Sequence, residues 1–336
     1  MTTKIRTSND LTFPEFDDIK VSTKTFTATT NLNIKIDELF QKLPITPYVV
    51  VPKKRGRKKK SENVNPNQDI PYGSIVTIKH EDEIRGVELK PKKSKPTKKK
   101  KWFRNSITVV IILDKPINFK VCRNGTFQMT GCKNHEHAEL CVKFIWQYIH
   151  EYNDIYSFTR DECLEALFIP SMRNIDFSLG FLVDREKLNQ YMCSEKEFHC
   201  LLETSFGYTG VNIKVPLAND ISTMKIKKLR NSKNNEWIDT WTTYQEYLDI
   251  LPAKDRETKL KDDRYNTFLV FHSGKVIMSG LTVDFMRDVY YYFLNIIRGA
   301  YEKIEERLEH TGGTNKQELS LEEELALMEL ENKELF

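Results

Sequence analysis

The chain has 336 residues, enough for two ordinary domains or one large duplicated one. Its net charge of +4 averages a Lys-rich stretch at 53–101 against an acidic end at 302–335, so the polarity belongs to segments rather than to a whole surface. Six cysteines without a CxxC pair argue against a disulfide-scaffolded secreted domain; with no leader pattern and no apolar run of about 18 residues, neither secretion nor membrane spanning is indicated, and the expectation is free thiols in an intracellular protein or one packaged in a particle.

In chain order, residues 1–20 read as an arm. KTFTATTNL (24–32) reads as a strand and IDELFQKL (36–43) as a helix. Residues 52–70 and 90–101 form an insertion rich in Lys, Pro and Asn, too polar to bury a core. Within it PKKRGRKKK (52–60) reads most simply as a solvated polycation adding non-specific DNA affinity. The specific alternatives are a nuclear import signal or a hook-like arm with Arg55-Gly56-Arg57 in a narrow A·T minor groove, although Lys58 stands where a hook would have Pro. SIVTIK (74–79) reads as a strand and the Asp/Glu run at 81–83 as solvated charge. ITVVIIL (107–113) and NFKVC (118–122) alternate as strands, Asn124-Gly125 marks a tight turn, and TFQMTG (126–131) returns as the partner strand. Asn134 is placed to cap a helix through HAELCVKFIWQYI (137–149).

The pattern then starts again. NIDFSLGFLV (174–183) reads as a strand, REKLNQYM (185–192) as a helix and TGVNIK (209–214) as a strand. Residues 216–262 read as a second insertion with a short helix in WIDTWTTYQEYLDIL (237–251). FLVF (268–271), a Ser273-Gly274 turn and KVIMSG (275–280) make a hairpin, and Thr282 caps a long amphipathic helix, VDFMRDVYYYFLNIIRGAY (283–301). Beyond Gly312-Gly313, LEEELALMELENKELF is an acidic segment, helical or disordered, and its run at 322–324 is solvated charge.

FLVFHSGKVIMSG (268–280) and FKVCRNGTFQMTG (119–131) agree at Phe, Val, Gly, Met and Gly, with each position of one lying 149 after its counterpart, as 268 against 119. Upstream, TGVNIK aligns with SIVTIK at an offset of 135, as 209 against 74. Each half reads as strand, helix, several antiparallel strands and a long closing helix. On the second hairpin Leu269, Phe271, Ile277 and Ser279 point to one face, and Phe268, Val270, Val276 and Met278 to the other.

These residues resemble the TATA-box-binding protein family: FLVFHSGKVIMSG and NGTFQMTGCK with their following helices, and RNIDFSLGF and FTATTNL as the first strands of the two halves. The long insertions and Lys- and Asn-rich composition look like the divergent versions of large DNA viruses. The resemblance implies an α+β fold, a duplicated saddle whose curved antiparallel sheet carries helices on its convex face. Its parts would be an arm (1–20), repeat 1 (21–150, basic insertion about 52–101), repeat 2 (151–310, insertion about 216–262) and an acidic tail (311–336).

The resemblance also implies a role for the concave face, which in the family presses apolar side chains into a widened minor groove and wedges Phe between base steps. Carried over, Phe271 holds one wedge position of half two, with Phe206 or Tyr208 near the other, and Leu269 and Ile277 beside it. Asn174 matches an Asn that reads minor-groove acceptors, and Ser279 and Thr130 match the Thr before the Gly of each half. Lys79, Lys214, Lys133 and Lys275 stand where basic residues hold phosphates. Half one departs from this pattern, with Lys120, Cys122 and Gln128 in place of Leu269, Phe271 and Ile277, and Thr25 where a second Asn is expected. Asymmetric binding with at most one normal kink is expected, with Tyr72 as the one nearby aromatic to compensate.

No GxSxG, P-loop or HExxH motif is present, and neither catalytic residues nor a cofactor are expected. Cys132, His135, His137 and Cys141 have poor zinc spacing, since much of the stretch is helical and the two His would diverge; Cys193, His199 and Cys200 fare no better. The expected function is a non-enzymatic transcription initiation factor that binds and bends A·T-rich promoter duplex as a monomer. The helices at 136–149 and 283–309 and the second insertion would recruit a general transcription factor and RNA polymerase subunits. The expected location is the nucleus, a viral factory in the cytoplasm, or the virion. The alternative is an interaction protein that kept the saddle and lost sequence-specific DNA binding.

Overall fold

The computed structural model describes residues 7–50, 66–89, 103–194, 198–202 and 210–306. The described residues up to Glu305 pack as one unit. The basic run at 52–60, Phe206, Tyr208 and the acidic tail lie outside the described residues.

The first half comprises β1 (Val21–Thr30), β2 (Leu32–Ile34), α1 (Ile36–Lys42), β3 (Ser74–His80), β4 (Glu83–Gly86), β5 (Ser106–Ile112), β6 (Pro116–Cys122), β7 (Thr126–Cys132) and α2 (His135–Ile149). A short β8 (Tyr156–Phe158) pairs with β2. The second half comprises β9 (Glu165–Ser178), α3 (Arg185–Ser194), β10 (His199–Leu202), β11 (Gly210–Pro216), β12 (Lys225–Asn231), β13 (Trp237–Thr243), α4 (Tyr244–Asp249), α5 (Ala253–Lys261), β14 (Tyr265–Phe271), β15 (Lys275–Gly280) and α6 (Val283–Ile304).

The main sheet is antiparallel, in the order β10-β11-β14-β15-β9-β1-β7-β6-β5-β3-β4. Read outward from its centre, β9, β15, β14, β11 and β10 match β1, β7, β6, β5 and β3. The offset of 149 holds inward as well, since the pairs Thr27–Gln128 and Ala28–Phe127 correspond to Asp176–Ile277 and Phe177–Val276. Lys24 and Arg173, themselves counterparts, pair directly across β1 and β9, so a local two-fold relation passes between them. Bulges at 21–23 and 170–172 beside this point bend the central strands, the local device by which a sheet curves into an α+β saddle.

Alternation decides which face is covered. Phe268, Val270, Val276 and Met278 are fully buried with Tyr290, Phe293 and Ile297 of α6, and the rings of Phe268 and Phe293 stack at 4.0 Å. In half one Phe119, Val121, Phe127 and Met129 pack with Ala138, Val142 and Ile145 of α2 and with α1. The 7–20 segment docks on α6: Phe16 is buried against Tyr290, whose hydroxyl donates to the Pro14 carbonyl at 2.6 Å, and Asp17 pairs with Arg287. Asn134 caps α2 by accepting from the His137 N–H at 3.0 Å; Thr282 occupies the same place before α6 without a side-chain bond.

Three expectations need correcting. SIVTIK does not correspond to TGVNIK: β3 takes the sheet position of β10, and ITVVIIL, as β5, takes that of β11. NIDFSLGFLV is a strand only to Ser178, and β9 begins earlier, at Glu165, where it pairs with β1. WIDTWTT is β13 rather than helix; only YQEYLD is helical, and the second insertion extends the sheet, with β12 pairing β9 at residues 165–168.

Lys227 of β12 joins this insertion to α2, its ammonium lying 2.7 Å from Glu139 and 3.0 Å from Asp239. Both Lys227 and Glu139 are largely buried, so removing the cation strands a carboxylate. Lys227→Met should lower unfolding stability by about 2 kcal/mol, against little change for Lys143→Met, whose 3.8 Å contact to the same Glu139 is looser. Chemical denaturation reads both.

Candidate nucleic-acid interface

The face opposite α2, α3 and α6 is the one the alternation leaves uncovered. In half two it carries Leu269 and Phe271 on β14, Ile277 and Ser279 on β15, Asn174 and Asp176 on β9, and Asn212 and Lys214 on β11, none of them buried. Ser279 pairs with Asn174, and Ile277 with both Leu269 and Asp176. Phe271 lies opposite Gly210, which has no side chain, so its ring has no neighbour at that register position. Lys214 lies 5.6 Å from the Tyr265 ring centroid, and Lys275 is exposed where β15 starts. The Asn174 Oδ1 is buried without a hydrogen-bond partner.

Half one places different chemistry on the same face. Lys120 pairs with Gln128, and its ammonium stands 4.4 Å over the exposed Phe103 ring. Thr130 donates to the Asn118 carbonyl at 3.3 Å. Cys122 pairs with Ser106, and partial burial pushes its thiol pKa up, so it is a small neutral group there. Lys79 is on this face but is held by Glu88. It is not the counterpart of Lys214: the pairing of Lys214 with Thr267, and of Val110 with Asn118, puts Val110 there. Lys133 lies past the end of β7, 3.9 Å from Asp114, apart from the strand set. Tyr72 packs edge-on against Phe144 of α2, on the helix side, and cannot replace a wedge.

Sequence reading passed over two features of this face. Asp176 lies two residues after Asn174 in a strand, so period 2 already put a carboxylate beside it; the Ser22 hydroxyl lies 3.3 Å from its Oδ1. The second feature comes from the insertion. Leu167 and Ile169 alternate with Ala166 and Phe168, which face α2, and are covered instead by Ile226, Tyr244, Tyr247 and Leu248. Thus α4 occupies the otherwise open face at that end of β9.

The residues weighed as zinc ligands are dispersed. Burial pushes the Cys132 thiol up to about 11 and Cys141 well above its ordinary value, which disfavours thiolates. His137 Nε2 contacts Asp114 at 3.0 Å, and the His135 ring packs on Phe26 and Trp241. Among the described residues no group of metal-ligating side chains is assembled. Cys200 Sγ lies 3.2 Å from Asn189 Oδ1, and His199 meets Tyr265 edge-on.

His135 carries a pH dependence. Burial, reinforced by Lys24, pushes its imidazole down to about 4 from 6.5. Between these values the unfolded chain binds the proton and the folded chain does not, so stability is fully present above about pH 6.5 and declines as pH falls toward 4. The melting temperature should fall across this window, and the slope should flatten in His135→Phe.

Among known proteins, the chain is 26% identical over 207 residues to the uncharacterized protein 335L of Invertebrate iridescent virus 6, covering 59% of this chain and 61% of that protein. It is 32% identical over 147 residues to a TATA-box-binding protein-like protein of Acanthamoeba polyphaga mimivirus, covering 35% of this chain and 39% of that protein. The match therefore spans less than two thirds of either relative. No protein-family profile matches the chain. Among solved structures, Methanococcus jannaschii TBP aligns with a TM-score of 0.41 at 12% identity, over 85% of this chain and 99% of that one. The chain thus combines two halves of matching strand order in one antiparallel sheet with a similarity in sequence, over 147 residues, to a viral TATA-box-binding protein-like protein.

Proposed function

We propose that the chain is a non-enzymatic transcription initiation factor that lays the face opposite α2, α3 and α6 into the minor groove of A·T-rich promoter duplex. The observation that carries the reading is the half-buried apolar trio Leu269, Phe271 and Ile277 on that face, with Lys214 and Lys275 at its margins and α2, α3 and α6 packed on the other side. Apolar strands bounded by cations suit a groove that is unstacked in its middle and held by phosphates at its edges. The outer sides of α2 and α6, where Tyr291 and Tyr292 are exposed, together with the inserted hairpin, serve as docking surfaces for a general transcription factor and polymerase subunits, with a monomer on the DNA in the nucleus or a viral factory.

Fluorescence-resolved bending of end-labelled A·T-rich and G·C-rich duplexes tests this. The expected result is salt-sensitive binding and a bend only with the former; equal binding without bending would remove the reading. Asp176, Lys120 and Cys122 on the same face, and α4 over part of it, favour a second reading, a saddle-fold interaction protein without sequence-specific DNA binding. A carboxylate at the centre of the face repels the polyanion that the first reading places there.

A further inference from the structure

The outer edge of β9 is flanked end to end by two strands, β15 along residues 173–178 and β12 along 165–168, and residues 169–172 between them pair with neither. A cavity of about 770 Å³ opens at this gap on the helix side, where both long helices begin. Such a volume is typical of small-ligand sites. Its lining combines Lys24, Arg173, Lys225 and His135 with the rings of Phe26 and Trp241.

The charges in it are unbalanced. Lys24 and Arg173 are half-buried neighbours, and neither has a carboxylate within ion-pair distance among the described residues. Arg173 Nε and His135 Nδ1 are buried without a hydrogen-bond partner. The lining contains one carboxylate, Asp284, while Asp17, which also acts on Arg173, is taken by Arg287. Burial and mutual repulsion lower the pKa of Lys24, and burial lowers that of Arg173, the signature of cations held without an anion. Two adjacent cations and unsatisfied donors are costly as they stand and would be relieved by one multiply charged acceptor.

We propose that this cavity binds an organic phosphate of nucleotide size, its phosphates on Lys24 and Arg173 with Lys225 at the side, and its ring against Trp241. The cations are neighbours rather than spaced along a groove, which suits one polyanionic group better than a string of carboxylates from a peptide. The inference rests on the fold and not on the DNA-binding reading, because the cavity lies on the opposite side of the sheet.

Titration of the full-length chain with ATP, pyrophosphate and adenosine tests it, read by calorimetry and tryptophan emission. ATP should bind and change the emission, the change should vanish in Trp241→Phe, pyrophosphate should compete, and adenosine alone should bind at least about tenfold more weakly. Lys24→Met, Arg173→Gln and the exposed-site change Lys225→Ala should each weaken ATP by about tenfold, with melting curves confirming that each variant is folded and duplex binding retained in parallel. ATP affinity unchanged in all three variants would place the phosphate on the Lys-rich insertion and overturn the proposal. So would absence of ATP binding, or a poly-Glu peptide that binds in a Lys24-dependent way where ATP does not.

Discussion

Replacing Phe271 with alanine is expected to weaken binding to A·T-rich duplex by roughly ten- to a hundredfold and to remove most of the bend, while Cys122→Ala at the equivalent position changes neither. The asymmetry follows from what each side chain does at the end of its strand. Phe271 closes β14 opposite Gly210 and is accessible on the open face; Cys122 closes β6 opposite Ser106 and has neither the area nor the rigidity to part a base step. Unstacking costs a few kcal/mol per step, which only a buried aromatic or a large aliphatic side chain offsets. Lys120→Ala should act differently, reducing the salt dependence by about one ion's worth (a slope change of about 0.9) without altering the bend. Gel mobility on circularly permuted duplexes gives the bend, and affinity against salt concentration gives the slope. Equal loss from Phe271→Ala and Cys122→Ala would show that the two halves engage DNA symmetrically. No loss from either, with Asp176→Asn also silent, would leave the interaction-protein reading standing.

The hairpins were legible in the sequence because several signals agree there. Period-2 alternation, an Asn-Gly or Ser-Gly turn and a following helix all mark β6–β7–α2 and β14–β15–α6. WIDTWTT was not legible as a strand for a physical reason: β13 pairs with β12 alone and is exposed along nearly its whole length, so no buried face imposes alternation on it. Its run of Thr and Trp was the remaining signal, one of propensity rather than pattern. SIVTIK and TGVNIK look like counterparts because the two share a Val and a terminal Ile-Lys. The correspondence is settled by hydrogen-bonded neighbours, and β3 carries a bulge at 75–77 that shifts its register. Asp176 could have been read from the spacing to Asn174. The meeting of Lys24 with Arg173 could not, because which strands join the two halves is a tertiary fact, and the cavity beside them exists only because the second insertion adds β12 where β15 ends.

Gly274→Ala and Gly125→Ala should each destabilise the chain by about 3 kcal/mol, more than the removal of any single surface contact. Both glycines are in the left-handed region, at φ +74 and +70, where an L side chain costs roughly 1–2 kcal/mol. A Cβ at Gly274 would also stand 2.1 Å from the Phe181 carbonyl oxygen, and one at Gly125 would stand 2.2 Å from that of Leu32. Phe181 and Leu32 are counterparts in the two halves, as are the bonds that dock each turn: Leu179 N–H donates to the Gly274 carbonyl at 2.8 Å, and Thr30 N–H to that of Gly125 at 3.2 Å. An added methyl must therefore push the hairpin turn off the end of the first strand of its own half, and the bonds lost add about 1 kcal/mol each. Because the two turns belong to separate cores, the double variant should lose the sum of the single effects. Denaturant midpoints test this, with exposed Ser273→Ala in the same turn as the small-effect control; a wild-type midpoint for Gly274→Ala would refute the docking account. The duplicated Gly is thus held by a backbone contact that each half must make to fold. Leu269 against Lys120 and Phe271 against Cys122 lie on the open face, away from the part that α4 covers, where packing does not hold them, so the chain keeps its symmetry where the core needs it and loses it where a partner would touch.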